Sequence, residues 1–441
     1  MTGYNHPFLQ GGLPSGWKVM TVDKVKAPER HACVAGPFGS SISSKFFVEK
    51  GVPVIRGSNL SLGLERFISS NFVFIAPETA EKFSAQTVVP GDLVFTCWGT
   101  IGQVGLIPPD GPFHRYVISN KQLKLRVDSQ LLEPLFAYYY FACPETVEYI
   151  QGRAIGSAVP GINLGILKSL PVILPPIETQ RRIASILGAY DDLIEVNRRR
   201  IAVLGEMARR LFDEWFVNFR FPGHEGHAMV ETKGGTIPEG WTMQPLEALT
   251  SYISRGIAPA YDDEAPGLVI NQKCIRDGRL SLKAARRQRK AVPPVKVVEA
   301  GDILVNSTGT GTLGRIAQAE EIPPGTTVDS HVTIIRPRRE VDRDFLGTSV
   351  SRLQALFESM AVGATNQMEL NRSRLASTEV VVPHGGLAVQ FGAVVRPIRV
   401  LAHKLERQCD RLTASRDLLL PRLISGELSV ATAERELEDA A

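Results

Sequence analysis

Several patterns in this chain have spacings that chemistry uses. Gly309-x-Gly311-x-x-Gly314 follows a β-type run, as the glycine turn of a dinucleotide site does. Arg315-Ile316-Ala317-Gln318 and Pro323-Pro324 come next and no long helix opens there, so a tight strand-to-strand turn is expected. His224-x-x-His227 has metal-ligand spacing, but it stands in a Gly-rich loop without a nearby Cys and reads as loop histidines. The Pro-Pro pairs follow Ile107, Leu174, Val292 and Ile322, whereas a methyltransferase loop needs Asn or Asp there. No Gly-x-x-x-x-Gly-Lys-Ser/Thr phosphate loop occurs. Cys33, Cys97, Cys143, Cys274 and Cys409 are scattered and odd in number, which suits buried reduced thiols rather than zinc or disulfides. No catalytic residue and no metal ligand is expected.

The elements that would position any site come as two copies. Leu13-Pro14-Ser15-Gly16-Trp17 returns as Ile237-Pro238-Glu239-Gly240-Trp241. Val89-Pro90-Gly91-Asp92-Leu93-Val94 returns as Glu299-Ala300-Gly301-Asp302-Ile303-Leu304. Residues 120–126 match 330–336, and 163–175 match 371–383. Offsets of 208 to 224 residues in constant order mean an internal duplication of one domain. Strands are expected at 52–55, 92–96 and 123–127, and again at 268–271, 302–306 and 332–336. One or two helices near the end of each copy are expected, at 135–151 and 345–360, making each copy a mixed α/β (α+β) domain.

A long helix follows each copy. From Glu178 to Phe216, apolar residues recur at 3,4 spacing: Ile183, Leu187, Tyr190, Ile194, Ile201, Leu204, Ala208, Leu211 and Trp215, with Asn197 as the polar step. Pro176 suits a first helical position. From 389 to 426 a second seam runs Phe391, Val394, Ile398, Leu401, Leu405, Gln408, Leu412, Ser415, Leu419. Pro397 predicts a kink or a helix start there, and Pro421 with Gly426 a stop. The two helices are expected to pack antiparallel, with Asn197 opposite a polar step such as Gln408 fixing register. The cluster Phe212, Trp215, Phe216, Phe219 and Phe221 has helical spacing and reads as packing rather than a stacking platform for bases. The expected divisions are a first domain at 1–175, a spacer helix at 176–220, a second domain at 221–384, a second spacer helix at 385–428 and a frayed acidic tail at 429–441.

Composition sets the class. The 441 residues carry a net charge of +4, with 44% hydrophobic and 22% charged residues, so a folded chain with several domains is expected. The charge permits a nucleic-acid partner without demanding one. Met1 to His6 lacks a basic region leading into an apolar core, and no uncharged run is fit to cross a membrane. A cytoplasmic protein is the expectation.

The chain resembles the specificity (S) subunit of type I restriction–modification systems over essentially its whole length. The likeness rests on the Gly-Trp openings, Pro90-Gly91-Asp92-Leu93-Val94, and Ser169-Leu170-Pro171-Val172 running into Leu174-Pro175-Pro176-Ile177-Glu178-Thr179-Gln180. It rests also on 211–219 (LFDEWFVNF) and 416–427 (RDLLLPRLISGE). Departures are Pro383-His384-Gly385-Gly386-Leu387 in the second copy, where the first has Pro-Pro-Ile-Glu-Thr, and Pro397. The resemblance implies two target-recognition domains, each reading half of a bipartite asymmetric site in double-stranded DNA. It implies helices that dock two methyltransferase (modification) subunits, with restriction/translocase subunits joining, and no chemistry in this chain. S-adenosylmethionine, ATP and Mg would belong to those partners. Two rival classes stay open: a structural coiled-coil scaffold binding only protein, and the recognition module of a fused nuclease or methyltransferase.

Within that resemblance, polar Gly-rich loops are the candidates to meet DNA. The first copy offers the loop 36–44, Arg56, Ser58 and Asn59, Trp98 and Thr100, and Asn120, Lys121 and Gln122. The second offers Arg255, Tyr261, Asn271, Gln272 and Lys273, Ser307, Thr308 and Thr310, and Ser330 with His331. Arg, Asn and Gln make bidentate pairs with guanine and adenine, which favours Arg56, Gln122, Asn271 and Gln272. The run 283–290, with Arg286, Arg287, Arg289 and Lys290, is the densest positive charge; phosphate contact and a solvated face are both open.

Overall fold

The computed structural model describes residues 6–10, 12–156, 159–232, 234–360 and 368–439, with side chains to 436. Most of the N-terminal stretch read for a leader, Met1 to Asn5, lies outside them. Contacts divide the chain into one unit of Met1–Val196 with Gln408–Ala441 and another of Asn197–Arg407. Each unit thus holds one domain, the first half of one long helix and the second half of the other. The expected divisions fell at helix ends; these run through both helices.

In the first unit, a four-stranded antiparallel sheet runs Cys33–Ala35, Gln122–Leu125, Leu93–Thr96, Val104–Leu106. A five-stranded sheet runs Phe47–Val48, Val73–Ile75, Val52–Ile55, Tyr116–Ile118, Thr87–Val88, with Val54 and Val117 in its parallel pair. Every residue of Val52–Ile55, Leu93–Thr96 and Gln122–Leu125 is buried, so these strands are covered on both faces. Lys18–Thr21 pairs with Pro171–Leu174, bringing the start of the domain to its end. The helical stretch expected at 135–151 forms two helices, Pro134–Ala142 and Pro144–Gln151. Pro144 is the cause: it drives Cys143 out of the helical region, to ψ 132.

The second unit repeats this order. Thr250–Arg255, Val332–Pro337, Ile303–Asn306 and Ile316–Gln318 form the four-stranded sheet. Arg286–Gln288, Gly267–Ile270 and Thr327–Val328 form a three-stranded one, with Val269 and Thr327 in its parallel pair. Thr242–Pro245 and Glu379–Val382 close it. The helical stretch expected at 345–360 again forms two, Arg343–Ser351 and Gln354–Ser359.

The repeated Gly-Asp turn explains itself in both copies. Gly91 and Gly301 hold positive φ, 88° and 99°. Asp92 accepts from Val89 N and from Arg126, Nε at 2.6 Å and Nη2 at 2.7 Å. Asp302 accepts from Glu299 N and from Arg336, Nε at 2.8 Å and Nη2 at 2.7 Å.

The first long helix spans Ile177–Phe212, 36 residues, and passes into a wider turn at Asp213–Val217. Ile183, Leu187, Ile194, Asn197 and Ile201 are buried, as the seam requires, while Leu204 is half-buried. The second spans Leu387–Ser425, 39 residues. It starts ten residues before Pro397 and runs past it; Pro397 is exposed, where water can meet the carbonyl that the ring frees. It also continues through Pro421 and stops at Gly426, φ 78°. Of its expected seam, Phe391 and Leu405 are buried and Ile398 is half-buried, but the alternate steps are displaced by one residue: Val395, Arg416 and Leu420 are buried, whereas Val394 and Leu401 are 48% and 47% exposed and Gln408 and Ser415 are exposed. Leu412 is half-buried. Ala402 and Cys409, half-buried, and the paired Arg416, buried, take the steps expected of Leu401, Gln408 and Ser415. The acidic tail is not frayed: Val430–Asp439 is a helix whose Val430 and Ala433 join the first core, and Glu434 pairs with Arg182.

Within the first unit the helices run antiparallel, because Ile194 O faces Cys409 Sγ while Ile183 and Leu187 share a core with Leu420, Leu423 and Ile424. Asp191 ties this pair to the domain. It accepts from Arg416 Nη1 at 2.5 Å, from Tyr139 Oη at 2.5 Å and from Arg66 Nε at 3.3 Å; Arg66 also reaches Asp192 and Gly188 O, each at 3.0 Å. In the second unit, Ala208, Phe212 and Phe216 pack on Leu387, Phe391 and Val395. There the helix supplies cations: Arg396 meets Asp344 at 2.8 Å and Asp342 at 3.0 Å, and Arg399 donates to Thr348 Oγ1 at 2.7 Å. The aromatic cluster is core, with Phe216 ringed by Phe345, Phe391 and Trp241.

Candidate nucleic-acid interface

In the first domain three turns converge on one open cleft of about 510 Å³, lined by Arg56, Ser58, Trp98, Thr100, Asn120, Lys121 and Gln122. Each turn leaves the end of a buried strand, Val52–Ile55, Leu93–Thr96 or Tyr116–Ile118. All but one of the residues named from the sequence in this copy therefore stand together.

Their availability differs. Ser58, Trp98, Thr100, Asn120 and Lys121 are exposed. Arg56 Nη2 donates to Asn71 O at 3.1 Å, while its Nε is buried without a partner among the described residues. Trp98 is 45% exposed and lies against Gly161, where a Cβ would sit 2.8 Å from the indole. Asn59 is not a contact residue: it is fully buried, accepting from Arg56 N and donating to Ile68 O and Ser70 O. Gln122 is 1% exposed and bonded to Ser119 Oγ, so it forms the floor of the cleft rather than its reach. Ile42, from the loop 36–44, also lines it, as do Phe47, Thr96 and Gln103, which were not foreseen. Gln103 bridges Thr96 Oγ1 and Leu60 O, a contact that sequence spacing does not announce.

The second domain carries the same turns at the ends of Gly267–Ile270, Ile303–Asn306 and Thr327–Val328. Thr308 Oγ1 and His331 Nδ1 lie 2.7 Å apart, and Thr310, His331 and Lys273 are exposed, with Ser330 half-buried. Asp329, beside them, accepts from His331 N; burial pushes its carboxyl above the ordinary value, with that hydrogen bond and the His331 ring opposing. Several named side chains are spent inside the fold. Asn271 caps Lys273 N and donates to Ala284 O; Gln272 donates to Thr308 O and Oγ1. Ser307 is fully buried against Thr333 Oγ1, and Arg255 pairs with Glu369 at 2.5 Å. For Asn271, Gln272 and Ser307 the reason is shared, since polar side chains beside a turn bond nearby backbone first, whereas Arg255 is held by an ion pair.

The basic run forms the outer strand Arg286–Gln288. Arg286, Arg287, Arg289 and Lys290 are exposed, and the Arg286 guanidinium lies 3.7 Å from the Tyr261 ring centre. Gly309, Gly311 and Gly314 all hold positive φ in a turn from strand to strand, so they cradle no nucleotide helix. His224 and His227 pack on Phe221, and among the described residues no group of three or more His, Cys, Asp or Glu is arranged to hold a metal. Burial pushes the Cys97 thiol up to about 11, far from a nucleophile's range, and none of the five cysteines is joined in a disulfide. No helix among the described residues is long and apolar enough to cross a membrane.

The structure is thus one domain present twice, each copy gathering polar turns at its strand ends and each sharing its unit with half of each long helix. Residues 39–206 match the family model described as type I restriction modification DNA specificity domain. The MjaIX specificity subunit of Methanocaldococcus jannaschii is 22% identical over 429 residues, 95% of each chain. The HindI specificity subunit of Haemophilus influenzae is 25% identical over 391 residues, 72% of this chain and 83% of that one. The crystal structure of a type I restriction–modification S subunit from M. genitalium shares the fold, with a TM-score of 0.58 at 18% identity over 94% of this chain and 97% of that one. Across nearly its whole length the chain is similar to specificity subunits of type I restriction–modification systems.

Proposed function

We propose that each domain reads one half of a bipartite asymmetric site in double-stranded DNA, and that this chain does so without chemistry of its own. The observation that carries the reading is the convergence of Arg56, Ser58, Trp98, Thr100, Asn120 and Lys121 on one cleft, with equivalent turns and a basic strand in the second copy. Lysine and arginine position a duplex through its phosphates; the polar turn residues read base edges. The long helices dock two methyltransferase subunits and set the distance between the readings. Restriction/translocase subunits complete the assembly. S-adenosylmethionine, ATP and Mg are used in those partners.

The test is selection from a randomised duplex library by the full chain with methyltransferase subunits. The expected product is two short specified segments separated by an unspecified gap of fixed length. No selected sequence would leave a scaffold that binds only protein. DNA modified or cut by the purified chain alone would make it an enzyme.

A further inference from the structure

We propose that Phe38 is an apolar wedge that the first domain inserts between base pairs of its half-site, unstacking and bending the duplex there. This rests on the DNA-reading function above. Phe38 is 96% exposed, more than any other large hydrophobic side chain among the described residues. One exposed apolar residue on a surface is ordinary; how this one is held is not.

The loop leaves the strand Cys33–Ala35 at Gly36, whose N donates to Gln122 O at 2.8 Å. A Cβ on Gly36 would overlap the Ser119 carbonyl, so only glycine lets the loop pass so close to the cleft. Past the tip, Asn120 Nδ2 donates to Gly39 O at 2.9 Å, and Ser41 Oγ donates to Phe38 O at 2.7 Å. Gly39 takes φ 58° to close the turn. The phenyl is thus displayed by a tethered turn, and the residue tethering it, Asn120, lines the cleft beside Arg56 and Lys121. A phenyl ring offers no hydrogen bond to a phosphate or a base edge. What it offers a duplex is insertion between base planes, as Phe, Leu, Ile and Met do in proteins that kink DNA.

The second domain has the same exit but another tip. A Cβ on Gly256 would overlap the Val328 carbonyl, and the loop then reaches Tyr261. That ring is stacked on Arg286, and its backbone pairs with Gln288 of the outer strand, which holds it against that strand, whereas Phe38 is displayed. The wedge belongs to one half-site, and the two halves of the duplex are deformed unequally.

The experiment uses the full chain with methyltransferase subunits and the duplex that library selection returns, with 2-aminopurine placed at successive positions. Wild type is expected to raise the fluorescence at one or two adjacent positions of one half-site. Phe38→Ala is expected to lose that rise and bind on the order of tenfold more weakly, while Phe38→Leu keeps most of both. The exposed side chain makes no core contact, so a folding defect is not expected. Selective binding with no fluorescence rise at any position overturns the wedge and leaves the DNA-reading function standing. So does Phe38→Ala behaving as wild type, or a Phe38 effect reproduced by replacing one thymine with uracil, which identifies a methyl contact. No sequence selection at all overturns both.

Discussion

Arg126 grips Asp92 through two hydrogen bonds of 2.6 and 2.7 Å, and Arg336 grips Asp302 in the same way 210 residues later. Both carboxylates are 1% exposed. In each copy the pair joins the turn before one central strand to the end of its neighbour, fixing the frame from which the cleft-forming turns depart.

Arg126→Met is expected to leave a buried carboxylate uncompensated and destabilise the first unit by about 2–4 kcal/mol, under the fully buried range because Arg126 is partly exposed. Urea unfolding checks it. The double variant Arg126→Met with Asp92→Leu should recover part of the loss, and no recovery would refute the pairing as the cause.

Lys121→Ala is expected to weaken DNA binding evenly across sequences and lower the slope of log affinity against log salt by about 1. Arg56→Ala should instead relax the preference at one base pair, worth about 1–3 kcal/mol. Binding measured across salt and across single-base variants of the selected site separates the two. An unchanged salt slope for Lys121→Ala contradicts phosphate contact.

Deleting one heptad from each long helix removes about 10 Å of rise, or roughly three base pairs of duplex. The unread gap in the selected site is expected to shorten by that amount. A gap of unaltered length would end the idea of the helices as a ruler.

His6 is buried against Tyr140 and Tyr149, its Nδ1 accepting from Phe8 N. Burial, with Arg153 assisting, lowers its pKa from 6.5 to about 4. The unfolded chain therefore takes up this proton first as pH falls. The stabilising contribution is complete above pH 6.5 and lost progressively towards pH 4, up to about 3 kcal/mol. His6→Phe should flatten the pH dependence of thermal unfolding in that window; an unchanged profile counts against it.

Asp191→Ala strands Arg416 and Arg66, whose side chains are 8% and 27% exposed. A loss of about 3–5 kcal/mol is expected from the first unit, read by hydrogen exchange along 177–196 and 408–425. Protection equal to wild type would deny the link.

The duplication, the strands and the first helix seam were legible in the sequence because burial leaves an apolar record at fixed period. The turns were legible as places, since Gly and short polar residues mark them. Which side chain in each turn stays free was not, because Asn59, Ser307, Asn271 and Gln272 are the types that read DNA and also the types that close turns. The second helix misled for another reason. Its seam uses Arg416 where an exposed residue was expected, and Leu401 faces outward, so side-chain type marked Phe391 and Leu405 correctly but misplaced the alternate steps. Phe38 sat inside a loop judged by its polar residues alone.

The ion pairs at the helix–domain seams are arranged differently in the two units. In the first, the helix brings Asp191 and Asp192 to Arg66; in the second, Glu406 and Asp213 meet Arg279 and Arg352 in that same sense, but Arg396 and Arg399 also face Asp342 and Asp344. The two domains share a fold but are keyed to different locks. A gene rearrangement that exchanged domains while leaving the helices in place would part Arg66 from Asp191 and Asp192 in one half and Arg396 from Asp342 and Asp344 in the other. Viable shuffling must carry each domain together with the helix segment that holds it, so the heritable module is a domain with its handle.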